Sequence, residues 1–94
     1  MFRAFADPTR LRILRWLKDP EANFAPQEDG FDEFGVCVKQ IQEKAGISQS
    51  TASHFMGVMQ RAGLLSSRRN GRWTYYKRNE PRIAELSARL GSEL

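Results

Sequence analysis

Residues 48–62 read SQSTASHFMGVMQRA, and how this stretch folds decides the rest of the chain. At helical spacing, Ala52, Phe55, Met56 and Met59 share one side, the i, i+3, i+4, i+7 pattern of a helix packed on a core. Ser50, Ser53, His54, Gly57 and Arg61 fall on the other side. Ser48 is well suited to cap the helix N-terminus. The polar face holds small hydroxyl residues at its start and no acid. A face built only for solubility would carry Glu and Lys. Small side chains, a helix N-terminus and no negative charge suit a surface that approaches phosphates and base edges. An ordinary amphipathic helix fits the same periodicity, so the flanking sequence has to discriminate.

Upstream, residues 36–45 read as a short helix with Val38, Ile41 and Ala45 facing inward. Gly46-Ile47 then makes a turn, and Ser48 starts the next helix. This is a helix-turn-helix arrangement. Downstream the period changes. Residues 64–69 and 72–78 are β-compatible runs flanking Asn70-Gly71, a strong hairpin signal of the type I′ kind. Counted outward from that turn, Arg69 faces Arg72, Arg68 faces Trp73, Ser67 faces Thr74, Ser66 faces Tyr75 and Leu65 faces Tyr76. Facing arginines destabilise a hairpin by a few tenths of a kcal/mol, and a phosphate would supply the missing countercharge. Lys77 and Arg78 are expected to extend the same basic surface, with Trp73, Tyr75 and Tyr76 anchoring the hairpin.

Toward the N-terminus, Asp7-Pro8 is a helix start, with Asp as cap and Pro at the first helical position. The helix TRLRILRWLKD buries Leu11, Ile13, Leu14 and Leu17 and leaves Arg10, Arg12, Arg15 and Lys18 in water. Residues 2–5 read as a further short helix, and Pro20 as a helix stop. The segment 19–35, DPEANFAPQEDGFDEFG, has two prolines, two glycines and six acids, which argue against a regular element. Its three phenylalanines argue against a disordered linker, so an ordered acidic loop pinned by aromatics is expected. Asp29, Asp32 and Glu33 lack the alternating spacing and central glycine of a calcium loop. Glu80-Pro81 opens a last helix over residues 82–90, with Ile83, Leu86 and Leu90 as its apolar stripe.

The 94 residues suffice for one domain with a modest core. No apolar run approaches membrane-spanning length, no signal-peptide pattern is present, and a single cysteine precludes an internal disulfide. A cytoplasmic setting is therefore expected. The net charge of +4 favours a polyanionic partner. Its distribution says more. Residues 19–33 carry acids and no Lys or Arg, whereas residues 61–82 carry Lys and Arg and one acid, Glu80. No paired carboxylates, Cys/His couple or phosphate-binding glycine loop occurs at a useful spacing, which argues against an enzyme.

Together these elements make a mainly α fold with a β-hairpin wing, a winged helix-turn-helix of order α-α-α-α-β-β-α, forming one domain over residues 1–94. FADPTRLRILRWL, GISQSTASHFMGVMQRAGLL and RRNGRWTYYK resemble, in order and spacing, three signatures of the ArsR/SmtB family of bacterial transcription regulators. The resemblance implies a homodimeric repressor that binds double-stranded operator DNA at an imperfect inverted repeat and releases it on an effector signal. It implies that the helix at Ser48 and Gln49 enters the major groove, with Gln49, Ser50, Thr51, Ser53 and His54 toward DNA. It implies that the wing, with Arg68, Arg69, Asn70 and Arg72, reaches the backbone or minor groove. The first and last helices would form the dimer, through Phe2, Phe5, Ile83, Leu86 and Leu90. Gly57 departs from the pattern, standing where a basic or bulkier residue is common.

Many family members sense metals through a Cys-X-Cys pair before the recognition helix. Here Cys37 takes the first position and Lys39 the second, so the thiolate pair is missing. A second family site uses His and carboxylates on the last helix, which here has Glu85 and Glu93 but no His. The one histidine, His54, lies in the recognition helix. One Cys and one His do not make a tetrahedral site within one chain, so no metal, no cofactor and a non-metal or unknown effector are expected. The other reading, from a different class, is a winged-helix protein-interaction module that uses the acidic residues 19–33 to hold a basic protein. It would go with an electroneutral wing, and this wing is basic.

Overall fold

The computed structural model describes residues 7–90, with the side chain of Leu90 excepted. The short helix expected over residues 2–5 lies outside the described residues, as do Phe2 and Phe5.

Helix α1 (Pro8–Trp16) begins as its sequence dictates. The Asp7 carboxylate accepts the Thr9 N–H at 2.8 Å, and proline stands in the first turn. Ile13 and Leu14 are its fully buried positions. Pro20 does not simply end a helix: it opens a four-residue helix, α2 (Pro20–Asn23), and a second short helix, α3 (Phe31–Phe34), follows in the acidic segment. Phe24 is buried and meets Trp16 edge-on at 6.5 Å. Two glutamines hold the backbone between the short helices. Gln27 donates to the carbonyls of Asp29 and Gly35 and accepts from the Cys37 N–H, while Gln40 bonds both the N–H and the C=O of Ala25.

The structure corrects the reading of residues 36–45 as wholly helical. Val36–Cys37 is a two-residue strand, β1, and α4 (Val38–Ala45) starts only after it. Gly35 makes this entry possible. Its φ of 85° and ψ of −152° are open to glycine alone, and an added Cβ would lie 2.2 Å from the Tyr76 carbonyl oxygen. Gly46, left-handed at φ 66°, then stops α4 before α5 (Gln49–Arg61).

Strands β2 (Leu65–Asn70) and β3 (Trp73–Arg78) form the wing, and β1 adds to β3, giving an antiparallel sheet of order β1-β3-β2. The register differs from the sequence reading by two residues. Asn70 pairs with Trp73, Arg69 with Thr74, Arg68 with Tyr75 and Leu65 with Arg78. The two-residue connection is Gly71-Arg72, and of the two only Gly71 has positive φ. That fits glycine at the first central position of a type II′ turn rather than the type I′ turn expected. The two arginines predicted to oppose each other do not.

Helix α6 (Glu80–Leu90) closes the core. Ile83 and Leu86 are 2% and 1% exposed and belong to one cluster with Ile13, Leu14, Ile41 and Met56. Both side chains pack within their own chain, which leaves them little surface to offer a second copy. Arg78 is also interior. Its guanidinium forks onto the Glu80 carboxylate at 2.9 and 3.1 Å and donates to the Leu14 carbonyl at 3.0 Å. It therefore does not extend the basic surface. Among the described residues, no helix is long and apolar enough to cross a membrane.

Candidate nucleic-acid interface

Helix α5 presents the face read from its periodicity. Ala52, Met56 and Met59 are buried, whereas Ser48, Gln49, Ser50, Ser53 and His54 are exposed and Thr51 is half-buried. The Ser48 hydroxyl caps the helix, accepting the Thr51 N–H at 3.1 Å and donating to the Thr51 hydroxyl at 2.9 Å. Ser48 and Thr51 thus spend part of their hydrogen-bonding capacity on the helix start, while Gln49 and Ser53 keep theirs. No acid stands in the first turn to oppose the positive end of the helix. Further along, an added Cβ on Gly57 would lie 3.2 Å from Arg61 Nη1, so the Arg61 side chain occupies the space that the missing side chain leaves.

The wing has two faces, and the acidic segment divides its polar residues between them. Residues paired across an antiparallel ladder share a face. Arg68, Asn70 and Tyr75 lie on the face covered by residues 28–34. The Arg68 guanidinium sits 4.3 Å over the Phe34 ring and 3.5 Å from the Glu33 carboxylate. Asn70 donates to Asp29 Oδ2 at 3.0 Å, and the Tyr75 hydroxyl donates to the same oxygen at 2.6 Å. The hydrogen bonds from Tyr75 and then Asn70 hold the Asp29 carboxyl below its ordinary 3.8, and the bond to Asp29 pushes the Tyr75 phenol up to about 12. Lys77 donates to the Asp32 carbonyl. Two of the four wing residues expected at DNA, Arg68 and Asn70, are therefore tied to the chain's own acidic segment.

Arg69 belongs to the opposite face, and Arg72 stands in the turn. Together with Gln49 and Ser53 of α5 they line a groove of about 530 Å³ between the recognition helix, α4 and β3. Gln60 bonds Ser67 at 3.0 Å and fixes the wing's base to α5. Further residues that the sequence does not point to also line the groove, among them Lys39, Glu43 and Trp73. The sequence marks Lys39 only as the residue at the second thiolate position, and Trp73 as a hairpin anchor. Trp73 is instead 37% exposed, between the Arg72 guanidinium at 5.1 Å and the Lys39 ammonium at 5.9 Å. Tyr75 and Tyr76 do pack inward. An aromatic residue next to a two-residue turn, where no strand shields it, was the available signal. The groove thus combines hydrogen-bonding groups of the helix with three cations, Arg69, Arg72 and Lys39, against one carboxylate, Glu43, a balance suited to a nucleic-acid backbone beside readable base edges.

Cys37 is buried, and its side chain lies near the acidic segment rather than in this groove. Among the described residues, no group of three or more His, Cys, Asp and Glu is placed to hold a metal ion.

Comparison with known proteins gives the same direction. The chain is 46% identical over 96 residues to YbzH of Bacillus subtilis, an uncharacterized HTH-type transcriptional regulator, and the match covers all of this chain and 95% of the relative. It is 36% identical over 85 residues to a probable mercury resistance operon repressor of Streptomyces lividans, covering 90% of this chain and 57% of that one. The crystal structure of a possible transcriptional regulator for arsenical resistance superposes with a TM-score of 0.71 at 25% identity, covering 95% of this chain and 78% of the other. No family model matches the sequence. The three-stranded sheet, the capped recognition helix and these relatives agree: the chain belongs to the ArsR-type family of winged helix-turn-helix regulators, DNA-binding proteins that control transcription and are not enzymes.

Proposed function

We propose that the chain is a homodimeric cytoplasmic repressor that binds an imperfect inverted repeat and is released by a signal other than a metal ion. The observation that carries this reading is the groove in which Gln49 and Ser53 of α5 meet Arg69 and Arg72 of the wing. In it the first two turns of α5, residues 48–54, meet base edges in the major groove, and Arg69 and Arg72 hold the phosphates alongside. Phe2, Phe5 and Leu90 keep their proposed place at the contact between two copies, while Ile83 and Leu86 serve the core. A non-metal signal is supported by the single, buried Cys37 with Lys39 where a second thiolate would stand. The interaction-module reading loses support because Asp29 and Glu33 are engaged with the chain's own wing.

The test is a footprint on the promoter of the protein's own gene, followed by selection of preferred sites with Gln49→Ala and Ser53→Ala. A protected inverted repeat, with preferences changed at bases worth about 1–3 kcal/mol each, is the expected result. Unaltered preference in both variants would remove α5 from the groove. Protection of a single half-site by one protomer would remove the dimer.

A further inference from the structure

A second concavity, of about 660 Å³, adjoins the groove, shares Lys39, Glu43 and Trp73 with it, and extends past the hairpin tip to the face that carries Asp29 and Tyr75. Its walls are the irregular segment at residues 25–29, one side of α4, and the tip of the hairpin. Three carboxylates, Glu28, Asp29 and Glu43, line it against one ammonium, Lys39. In a chain of net charge +4 this is a local reversal of sign. The aromatic wall is Trp73, whose indole already draws two cations of the chain, Lys39 and Arg72. An indole face is the best aromatic surface for a cation, and carboxylates complete the charge complement. The volume is that of a small-molecule site. The walls are also held in place beforehand: Gln27 and Gln40 tie residues 25–29 to one another, to β1 and to α4, so a ligand meets little ordering cost.

We propose that this cavity binds a small organic cation, an amine or quaternary ammonium carrying an apolar or aromatic body, and that its occupancy is coupled to the wing. The ammonium pairs with Asp29 and Glu43, and the body lies on Trp73. Coupling follows from Asp29. One oxygen of that carboxylate holds both Asn70, the residue before the turn, and the Tyr75 hydroxyl. A ligand cation competes with those donors for Asp29, and the hairpin tip that carries Arg72 loses its tether to residues 28–34. DNA binding and cation binding are then mutually antagonistic by the same factor in each direction. This second half rests on the repressor reading; the binding site itself does not.

The experiment uses benzyltrimethylammonium, whose charge does not vary with pH, with benzyl alcohol and benzoate as neutral and anionic counterparts. Nitrogen-resolved NMR of the free, full-length chain follows the two tryptophan indole signals, assigned with Trp73→Phe, and the Asn70 side-chain amide. Saturable shifts of Trp73 and Asn70 with the cation, and none with benzoate, are expected. Trp73→Phe and Glu43→Gln, both at exposed positions, are expected to weaken binding about tenfold in combination. A cation that leaves Trp73 unshifted, equal binding of benzoate, or full affinity in the double variant overturns the site. Operator binding is then measured with and without saturating probe. Weakening of three-fold or more supports the coupling, and unchanged affinity overturns it while leaving the site. Failure of the chain to bind operator without any probe is a failure of the repressor reading alone.

Discussion

The division of the wing into two faces makes a quantitative claim about salt. Arg69 and Arg72 line the groove shared with Gln49 and Ser53, whereas Arg68 lies over Phe34 beside Glu33. If the groove holds the DNA backbone, each of the first two arginines neutralises a phosphate and releases condensed counterions. The slope of log affinity against log salt then falls by about 0.9 for each phosphate left unneutralised, or about 1.8 for the Arg69→Ala, Arg72→Ala double variant. Between 50 and 200 mM salt the unaltered chain loses about 12-fold more affinity than the double variant does. Arg68→Ala is expected to leave the slope within about 0.3 of the starting value, because that guanidinium is already paired within the chain. Fluorescence anisotropy with an operator duplex and an unrelated duplex of equal length, at four salt concentrations, reads all three slopes. The double variant must weaken both duplexes alike. Equal slopes for Arg68→Ala and the double variant, or a weakening confined to the operator, would refute the assignment of faces.

Three other outcomes follow from the packing. Leu86→Ala is expected to lower the unfolding free energy by about 2–5 kcal/mol, since a side chain 1% exposed leaves a cavity; a variant that kept its stability to denaturant but sedimented as a monomer would return Leu86 to a dimer contact. Gly35→Ala should cost about 3 kcal/mol or more, and about 12 °C or more in Tm, from a glycine-only backbone conformation and the approach to the Tyr76 carbonyl; an unchanged Tm in calorimetry would contradict the close approach of β1 to β3. The pairing of Asp29 with Tyr75 bounds stability at both ends of the pH scale. Asp29 has a folded pKa below its unfolded value, so its contribution is present above about pH 4 and is lost as pH falls through the folded value. Tyr75 has a folded pKa above the ordinary 10, so its contribution is complete below about pH 10 and lost as pH rises through about 12. Phenolate absorbance should show Tyr75 titrating lower in Asp29→Asn than in the parent chain, and an identical titration in the two would dissociate the pair.

What could be read from the sequence was local. The Ser48 cap, the buried series Ala52, Met56 and Met59, and the Asp7-Pro8 start rest on periodicity and on contacts within four residues, and all three stand in the structure. The hairpin was legible as a hairpin but not in register. A slip of two residues leaves every side chain on its original face, so the alternation that marks a strand is blind to it. Only the turn conformation distinguishes the two registers, and Asn70-Gly71-Arg72 accommodates glycine at either central position. Strand β1 has no signature in the sequence, because two residues have no period and their partners, Tyr76 and Tyr75, lie 40 and 38 positions away. The stripe of Ile83 and Leu86 was visible, but periodicity does not say what covers an apolar face. For the candidate interface, helix residues were legible from their side of α5. The engagement of Arg68 and Asn70 depends on Asp29 and Glu33, which no local rule brings to a wing.

The interior fork of Arg78 bears on how this molecule moves. A planar guanidinium that grips Glu80 and the end of α1 together cannot swivel without exposing or orphaning a charge, and a lysine could not replace its two-pronged hold. The root of the hairpin is in that sense clamped at Arg78, where β3 hands over to α6. The outer hairpin, from Arg68 across the turn to Tyr75, lies beyond that clamp. That outer part is the stretch that residues 28–34 grip from one side. The wing is thus held twice, at its root by the helical body through Arg78 and at its outer part by the acidic strap through Asp29 and Glu33.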